Sequence, residues 1–121
     1  MIMRNLHLDE LRDHCLAKPS VTESFPFDQK TLVFKVAGKM FALCDVDDFQ
    51  SINLKCNPDL AVELRSTYEA VLPGWHMNKR HWNTVAVEGD ASRADLIKWV
   101  DDSYDLIVAS LTRKVREEHG L

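Results

Sequence analysis

Residues 31–44 read TLVFKVAGKMFALC, and this stretch decides the fold. Thr31–Val36 is rich in β-branched and aromatic residues, which favour β-strands. Ala37-Gly38-Lys39 then supplies a turn, and Met40–Cys44 repeats the apolar composition of the first run. Two such runs joined by a short glycine-containing turn predict an antiparallel β-hairpin.

A helix and an edge strand are predicted before the hairpin. Leu8, Leu11 and Cys15 recur at helical spacing, and Pro19 stops the pattern. We therefore expect a helix over about residues 5–18. Residues 21–28 follow, and because they contain Pro26 they are expected to form an irregular or edge strand.

Two later helices are predicted from their capping residues. Asn57 is a good N-cap and Pro58 suits the first helical position, so a helix is expected over about residues 58–70. Ser92 and Asp95 resemble a capping box that opens the longest helix. The expected core stripe of that helix consists of Leu96, Trp99, Val100, Ser103, Tyr104, Ile107 and Leu111.

The order of the predicted elements gives the fold class. Alternating strands are expected over residues 51–56 and 83–88, on either side of the second helix. The chain then runs helix, three or four antiparallel strands, helix, strand, helix. We predict an α+β fold, a two-layer sandwich in which one antiparallel sheet is covered by helices, formed by a single domain over residues 1–121.

Length and composition exclude several classes of protein. The chain has 121 residues, of which 45% are hydrophobic and 28% charged, as is ordinary for one compact domain. No apolar run approaches the roughly 18 residues of a membrane span, and acidic residues appear before a signal-peptide core could form. Three unevenly spaced cysteines, Cys15, Cys44 and Cys56, imply no disulfide framework. We expect a cytoplasmic protein that does not bind membranes.

The densest functional signal is the segment GWHMNKRHWNTV, residues 74–85. The chain has a net charge of −4, and when it is divided into residues 1–50, 51–82 and 83–121, only 51–82 is net positive, with four basic and three acidic side chains. Planar rings stack and cations pair with anions, so we predict a surface that recognises a flat or anionic ligand. The candidate residues are Trp75, His76, Asn78, Lys79, Arg80 and His81, together with Lys35, Lys39 and Lys55 on or near the predicted strands.

Structural roles compete with this interpretation of the segment. Trp82 directly precedes a predicted strand and is in phase with Thr84, on the face opposite Val85. We expect Trp82 itself to be buried. In the structural alternative Lys79 and Arg80 are simply solvated and His76 caps a turn.

A metal site and a catalytic thiol are both disfavoured. His76 and His81 have a spacing that zinc permits, but Cys44 and Cys56 would have to supply the thiolates from separate strands. Cys56 precedes a helix N-terminus, which would lower the pKa of its thiol, yet no oxyanion turn accompanies it. We predict no catalytic residue, no metal and no cofactor.

Five segments of the chain resemble the MmcQ/YjbR family. They are residues 11–19 (LRDHCLAKP), 23–28 (ESFPFD), 35–42 (KVAGKMFA), 53–56 (NLKC) and 73–85 (PGWHMNKRHWNTV). The resemblance extends over residues 11–111, and its last segment is the most specific. Trp75 stands where this family more often has Tyr. The tryptophan keeps a flat aromatic ring but has no hydroxyl.

The resemblance implies a frataxin-like (CyaY-like) α+β fold with a double-wing arrangement, and a DNA-binding role. Frataxin-like iron handling does not follow from it, because Arg12 and His14 interrupt the acidic positions Asp9, Glu10 and Asp13 of the first helix. We expect a non-catalytic protein, monomeric or weakly dimeric, that binds DNA weakly and in a salt-sensitive way. The alternative is a small protein- or ligand-binding adaptor that uses the same aromatic patch.

Overall fold

The computed structural model describes residues 4–74 and 77–121. Within these ranges the helices are α1 (Leu8–Leu16), α2 (Pro58–Thr67), α3 (Arg93–Ser110) and α4 (Arg113–Glu118). The strands are β1 (Val21–Ser24), β2 (Thr31–Val36), β3 (Lys39–Asp45), β4 (Ser51–Lys55), β5 (Val71–Pro73) and β6 (Trp82–Ala86).

The predicted hairpin is confirmed and is formed by β2 and β3. Its turn places Ala37 at φ 49° and Gly38 at φ 81°, the two left-handed positions of a type I′ turn. The register of the two strands shifts by one residue at a β-bulge. Because of this bulge, the consecutive residues Phe41 and Ala42 both lie in the main core.

All six strands join one antiparallel sheet in the order β1-β2-β3-β4-β6-β5. The predicted edge strand before the hairpin is confirmed, since β2 is the only partner of β1 among the described residues. The predicted α+β class is confirmed as well. The β2–β3–β4–β6 strands form the centre of the sheet, and this centre carries the candidate site described below.

Helices α1, α2 and α3 pack on one face of the sheet and enclose the main core. The longest of them, α3, buries the stripe that its spacing predicts. Ser103 of this stripe is fully buried, donates a hydrogen bond to the carbonyl oxygen of Phe41 (2.5 Å) and accepts one from the backbone N–H of Lys55 (2.9 Å). This serine therefore ties the central strands to the helical layer.

The opposite face of the sheet, called here the helix-free face, is formed by the alternate strand positions that point away from α1, α2 and α3. A second, smaller cluster of buried residues lies on it, and consists of Val33, Leu43 and Trp82 with the partly buried Met40 and Met77. In the described part of the chain none of these residues belongs to a helix. Among the described residues, the sheet is therefore covered by helices on one side.

The sequence prediction is wrong at the end of the second helix. Helix α2 ends at Thr67, where the next residue, Tyr68, turns extended (φ −117°, ψ 128°). Val71, the residue directly after the predicted helix, begins β5 and pairs with Val85. The i, i+3 spacing from Tyr68 to Val71 fits both a helix and a buried strand end. The strand forms because its backbone pairs with β6 at the edge of the sheet.

The other predicted helices and strands differ from the observed ones only in where they begin and end. Helix α1 occupies Leu8–Leu16 rather than about residues 5–18, and the last residues form a separate helix, α4. Both predicted N-caps are confirmed: Asn57 accepts a hydrogen bond from the backbone N–H of Asp59, and Ser92 and Asp95 make a reciprocal capping box. In the described ranges, no helix is both long enough and apolar enough to cross a membrane.

Candidate functional site

The predicted recognition segment connects β5 to β6. Trp75 and His76 lie outside the described residues. The remainder, residues 77–81, is called here the basic loop, and in it Lys79 and Arg80 are exposed. The loop is held as a turn by Asn78, whose carbonyl oxygen accepts from the backbone N–H of Trp82 (2.9 Å) and whose Oδ1 accepts from that of Arg80 (3.0 Å). The Asn78 side-chain oxygen is thus engaged within the turn.

Arg65 of α2 anchors the basic loop from the helical layer. Its Nε donates to Asn83 Oδ1 (2.7 Å), and its Nη2 donates to the carbonyl oxygen of Lys79. Hydrogen bonds from a guanidinium are charge-assisted and directional, so they fix both partners. Sequence reasoning missed Arg65, because its partners lie 14 and 18 residues away and no local pattern marks the contact.

Gly74 sets the close approach of the two strand ends that flank the loop. Its backbone N–H donates to the carbonyl oxygen of Trp82 (2.8 Å). A Cβ at this position would lie 2.8 Å from the Trp82 Cβ and 2.9 Å from that same oxygen. Such distances do not occur between real side chains, so only glycine fits without a shift of the loop.

Trp82 is buried, as expected, and only 9% of its surface is exposed. It packs with Val33 and Leu43 on the helix-free face, opposite the main core. Its indole therefore supports the sheet under the basic loop. The ring is not available to stack on a ligand in this arrangement.

The structure brings two of the three predicted strand lysines to the same side of the sheet. Lys55 pairs with Trp82, and Lys35 pairs with Met40, so both lysines occupy helix-free positions at the end of the sheet where the basic loop begins. Lys39 differs, because it pairs with Val36, whose side chain lies in the main core. Lys39 therefore belongs to the other side of the hairpin tip.

His81 joins the basic loop to β6 and is half-buried. Its backbone N–H donates to the carbonyl oxygen of Asn78 (3.1 Å), and its carbonyl oxygen accepts from the backbone N–H of Cys56 (2.8 Å). The second bond ties the end of the basic loop to the end of β4. These main-chain hydrogen bonds hold His81 next to the end of β4, where Lys55 lies.

A groove of about 750 Å³ lies over the helix-free face. Its floor includes Leu43 of β3, Asn53 of β4 and Thr84 of β6. Phe27, from the loop between β1 and β2, forms one wall, and Met77 of the basic loop contributes to another. We call this cavity the sheet groove, and sequence reasoning missed it because its walls depend on the strand order.

Hydrogen bonds fix the polar part of the sheet groove. The Thr84 hydroxyl donates to Asn53 Oδ1 at 2.6 Å, across the β4–β6 pair. Asp28 orders the loop that carries Phe27, because its carboxylate accepts from the backbone N–H groups of Lys30 (2.8 Å) and Thr31 (2.6 Å). These backbone hydrogen bonds lower the pKa of Asp28.

Charge is segregated between the two sides of the molecule. Helix α3 carries four carboxylates against two basic side chains, and α1 carries three against one. The helix-free positions of the central strands carry Lys35 and Lys55 against Asp45, and the basic loop adds Lys79 and Arg80. Helices α1 and α3 are therefore net negative, and these helix-free positions together with the basic loop are net positive.

The cysteines give no support for thiol chemistry. Burial raises the pKa of the Cys15 and Cys44 thiols to about 12. Burial, followed by the charge of Asp102, also raises the pKa of the Cys56 thiol, and this outweighs the hydrogen bond from the backbone of Asn57. The lowered pKa that a helix N-terminus would give Cys56 is therefore contradicted. In the described ranges, no cluster of His, Cys, Asp or Glu side chains has a metal-binding arrangement.

Comparison with known proteins gives one consistent family. The family model described as YjbR matches residues 16–106. The uncharacterized protein YjbR of Escherichia coli (strain K12) is 34% identical over 111 residues, which cover 91% of this chain and 94% of that protein. The uncharacterized protein YbdF of Escherichia coli O157:H7 is 35% identical over 100 residues, or 82% of each chain.

A solved structure agrees in both sequence and fold. The crystal structure of the Deinococcus radiodurans protein DR2400, with a DUF419 domain, matches with a TM-score of 0.89 and 37% identity, covering 94% of this chain and 88% of that one. A protein from Pseudomonas syringae matches with a TM-score of 0.71 and 25% identity over 84% of this chain and 98% of that one. With one family model spanning most of the sequence and relatives above 30% identity along nearly all of it, the chain belongs to the YjbR family.

Proposed function

We propose that this protein is a non-catalytic DNA-binding module that contacts phosphates through the basic end of the helix-free face. The observation that carries the proposal is the segregation of charge. Lys35 and Lys55 share one side of the sheet, and the basic loop, in which Lys79 and Arg80 are exposed, runs into β6 at the same end of the sheet. On the other side, helices α1, α2 and α3 together carry nine carboxylates against four lysine and arginine side chains.

Four cations define the expected strength and salt dependence of binding. Each phosphate neutralised on duplex DNA changes log K by about −0.9 per unit of log salt. Four contacts would therefore give a slope of roughly −3 to −4, and less if the acidic body of the protein opposes approach. The binding should be weak and easily reversed by salt.

Phosphate contacts dominate this surface, and base readout contributes little to it. Asn78 uses its side-chain oxygen within the turn, and Trp82 is buried. Lysine and arginine contacts with phosphates position a protein on DNA without reporting the base sequence. We expect similar affinity for unrelated sequences.

Fluorescence anisotropy with labelled random-sequence DNA over a salt series tests the proposal. The double variant Lys79→Ala/Arg80→Ala should bind about tenfold more weakly and lower the magnitude of the salt slope by about 2. The matched control is Lys98→Ala/Lys114→Ala, which removes the same charge from helices α3 and α4. The control should keep the salt slope of the parent protein.

Two results would contradict the proposal. Equal losses in the test and control variants would show that only net charge matters. An absence of binding at low salt would remove DNA as a ligand. Salt-independent binding of a protein or small ligand, together with no DNA binding, would instead favour the adaptor function.

A further inference from the structure

The sheet groove differs in chemistry from the basic end of the face that adjoins it. Phe27, Met40, Leu43 and Met77 line it with apolar surface. Its polar lining is mostly neutral, and Asp45 is its only charged side chain among the described residues. A groove that holds a carboxylate and no cation suits a neutral group, and disfavours a phosphate.

The lining of the groove matches a flat ring with polar edges. Methionine side chains make favourable contacts with aromatic rings, and Phe27, with 66% of its surface exposed, contributes an aromatic ring to the lining. Asn53 accepts the Thr84 hydroxyl with its Oδ1, which leaves its Nδ2 without a partner within the described residues. That amide is a donor for a ring carbonyl or ring nitrogen at the floor of the groove.

The lysines lie where the backbone of a bound nucleotide would continue. Lys55 follows Asn53 by two residues on the same side of β4, about 7 Å along the strand. Lys35 pairs with Met40, which lines the groove. A base in the groove would therefore have its phosphate directed toward these two cations.

We infer that the sheet groove is a base-binding site, and that the ligand class is single-stranded DNA rather than duplex. This inference rests on the proposed DNA-binding function and specifies its substrate. Bases in a duplex are stacked and paired, so they cannot descend between the walls formed by Phe27 and Met77. An unpaired base can be accommodated there while its backbone contacts Lys35 and Lys55.

The first test uses uncharged nucleosides, which have no phosphate and so probe the groove alone. Thymidine and 2′-deoxyadenosine, added at millimolar concentration to the labelled full chain, should shift the amide NMR signals of Leu43, Asn53 and Thr84. The signals of Lys79 and Arg80 should move less. Absence of shifts at the groove residues would overturn the inference while leaving the phosphate surface intact.

The second test compares single-stranded and duplex DNA of one sequence. The parent protein should bind the single strand more tightly. Phe27→Ala should lower single-strand affinity about fivefold, near the lower end of what one stacked base contributes, and leave duplex affinity unchanged. Phe25→Ala is the matched control, because Phe25 is exposed in the same loop but does not line the groove, and it should bind as the parent does.

The outcomes separate this inference from the proposed function. Equal affinity for both DNA forms, with sensitivity to Lys79→Ala/Arg80→Ala but not to Phe27→Ala, would overturn the base site and retain DNA binding. If the parent protein binds neither single-stranded nor duplex DNA, both the base site and the proposed DNA-binding function are wrong. If the signals of Leu43 and Asn53 shift on raising the protein concentration alone, the groove is covered by a second copy and the inference is wrong.

Discussion

At the scale of single residues, Arg65 connects the helical layer to the surface on the far side of the sheet. Its guanidinium donates to Asn83 Oδ1 and to the carbonyl oxygen of Lys79. Asn83 has only 2% of its surface exposed, so its side-chain oxygen has no access to water as a substitute partner. The position of the basic loop therefore depends on a residue that takes no part in the predicted surface.

Replacing Arg65 tests this dependence. Arg65→Met keeps much of the apolar stem and leaves a buried acceptor unpaired, which should cost about 1–3 kcal/mol of unfolding free energy. Urea denaturation followed by circular dichroism measures the change. The control Arg113→Met, on exposed α4, should stay within about 0.5 kcal/mol of the parent. Equal costs for the two variants would mean that Arg65 does not anchor the loop.

Sequence patterns predict individual residues well where burial follows strand or helix phase. Trp82 and Trp99 are buried as their spacing predicts, and Lys79 is exposed. The roles of Arg65 and Gly74 are not predicted in this way. Arg65 contacts a residue that is distant in sequence, and Gly74 is required by an unusually short distance to Trp82. Side-chain type alone does not reveal either contact.

At the scale of elements, the β2–β3 hairpin carries a mismatch between its sequence and its turn. A type I′ turn requires positive φ at both central residues, and it favours Asn-Gly. Here the first of these positions is Ala37, at φ 49°. A Cβ in the left-handed region costs about 1–2 kcal/mol.

We expect Ala37→Asn to stabilise the hairpin. Asparagine tolerates the left-handed region, so the unfolding free energy should rise by about 0.5–1 kcal/mol. The urea midpoint of the variant, at unchanged m-value, measures the effect. Ala109→Asn, at an exposed position within α3, should instead lower stability by a few tenths of a kcal/mol, at about the difference in helix propensity. A midpoint for Ala37→Asn at or below that of the parent would refute the expectation.

Local signals explain which elements the sequence predicts. The hairpin, the Asn57 cap and the Ser92–Asp95 capping box are encoded by neighbouring residues. Strand β5 is missed because its three residues are too short to show alternation. The sheet groove is missed because β4 pairs with β6, which places Asn53 beside Thr84, and no local pattern fixes that pairing.

At the scale of the whole molecule, acid should weaken the contact between α1 and α3. Asp101 Oδ1 lies 2.6 Å from Lys18 Nζ and 2.7 Å from His14 Nε2. Burial alone would raise the pKa of Asp101, but the hydrogen bonds from Lys18 and His14 outweigh it and lower the pKa. A carboxylate with a lowered folded-state pKa stabilises the protein above its unfolded pKa, and this contribution is lost as pH falls through the folded pKa.

Asp101→Asn tests the pH dependence. The unfolding free energy should fall by about 0.5–1 kcal/mol at neutral pH, since the pair is partly exposed. Below about pH 4 the difference from the parent should shrink, because the parent carboxylate becomes protonated. Denaturation midpoints recorded from about pH 7 to about pH 3 measure both effects. The control Asp105→Asn lies one turn along the same helix, and its unfolding free energy should follow that of the parent at every pH. If its difference from the parent also shrank at low pH, the effect would belong to overall charge and not to Asp101.

The segregation of charge also has a consequence for encounters in solution. A protein with an acidic side and a basic side is an electric dipole as well as a net anion. Near a polyanion such as DNA, its net charge is repelled, while its dipole experiences a torque that turns the basic side inward. Molecules that approach with the acidic side first would then be repelled before contact. The rate of productive encounter therefore depends on rotational diffusion as much as on translational diffusion.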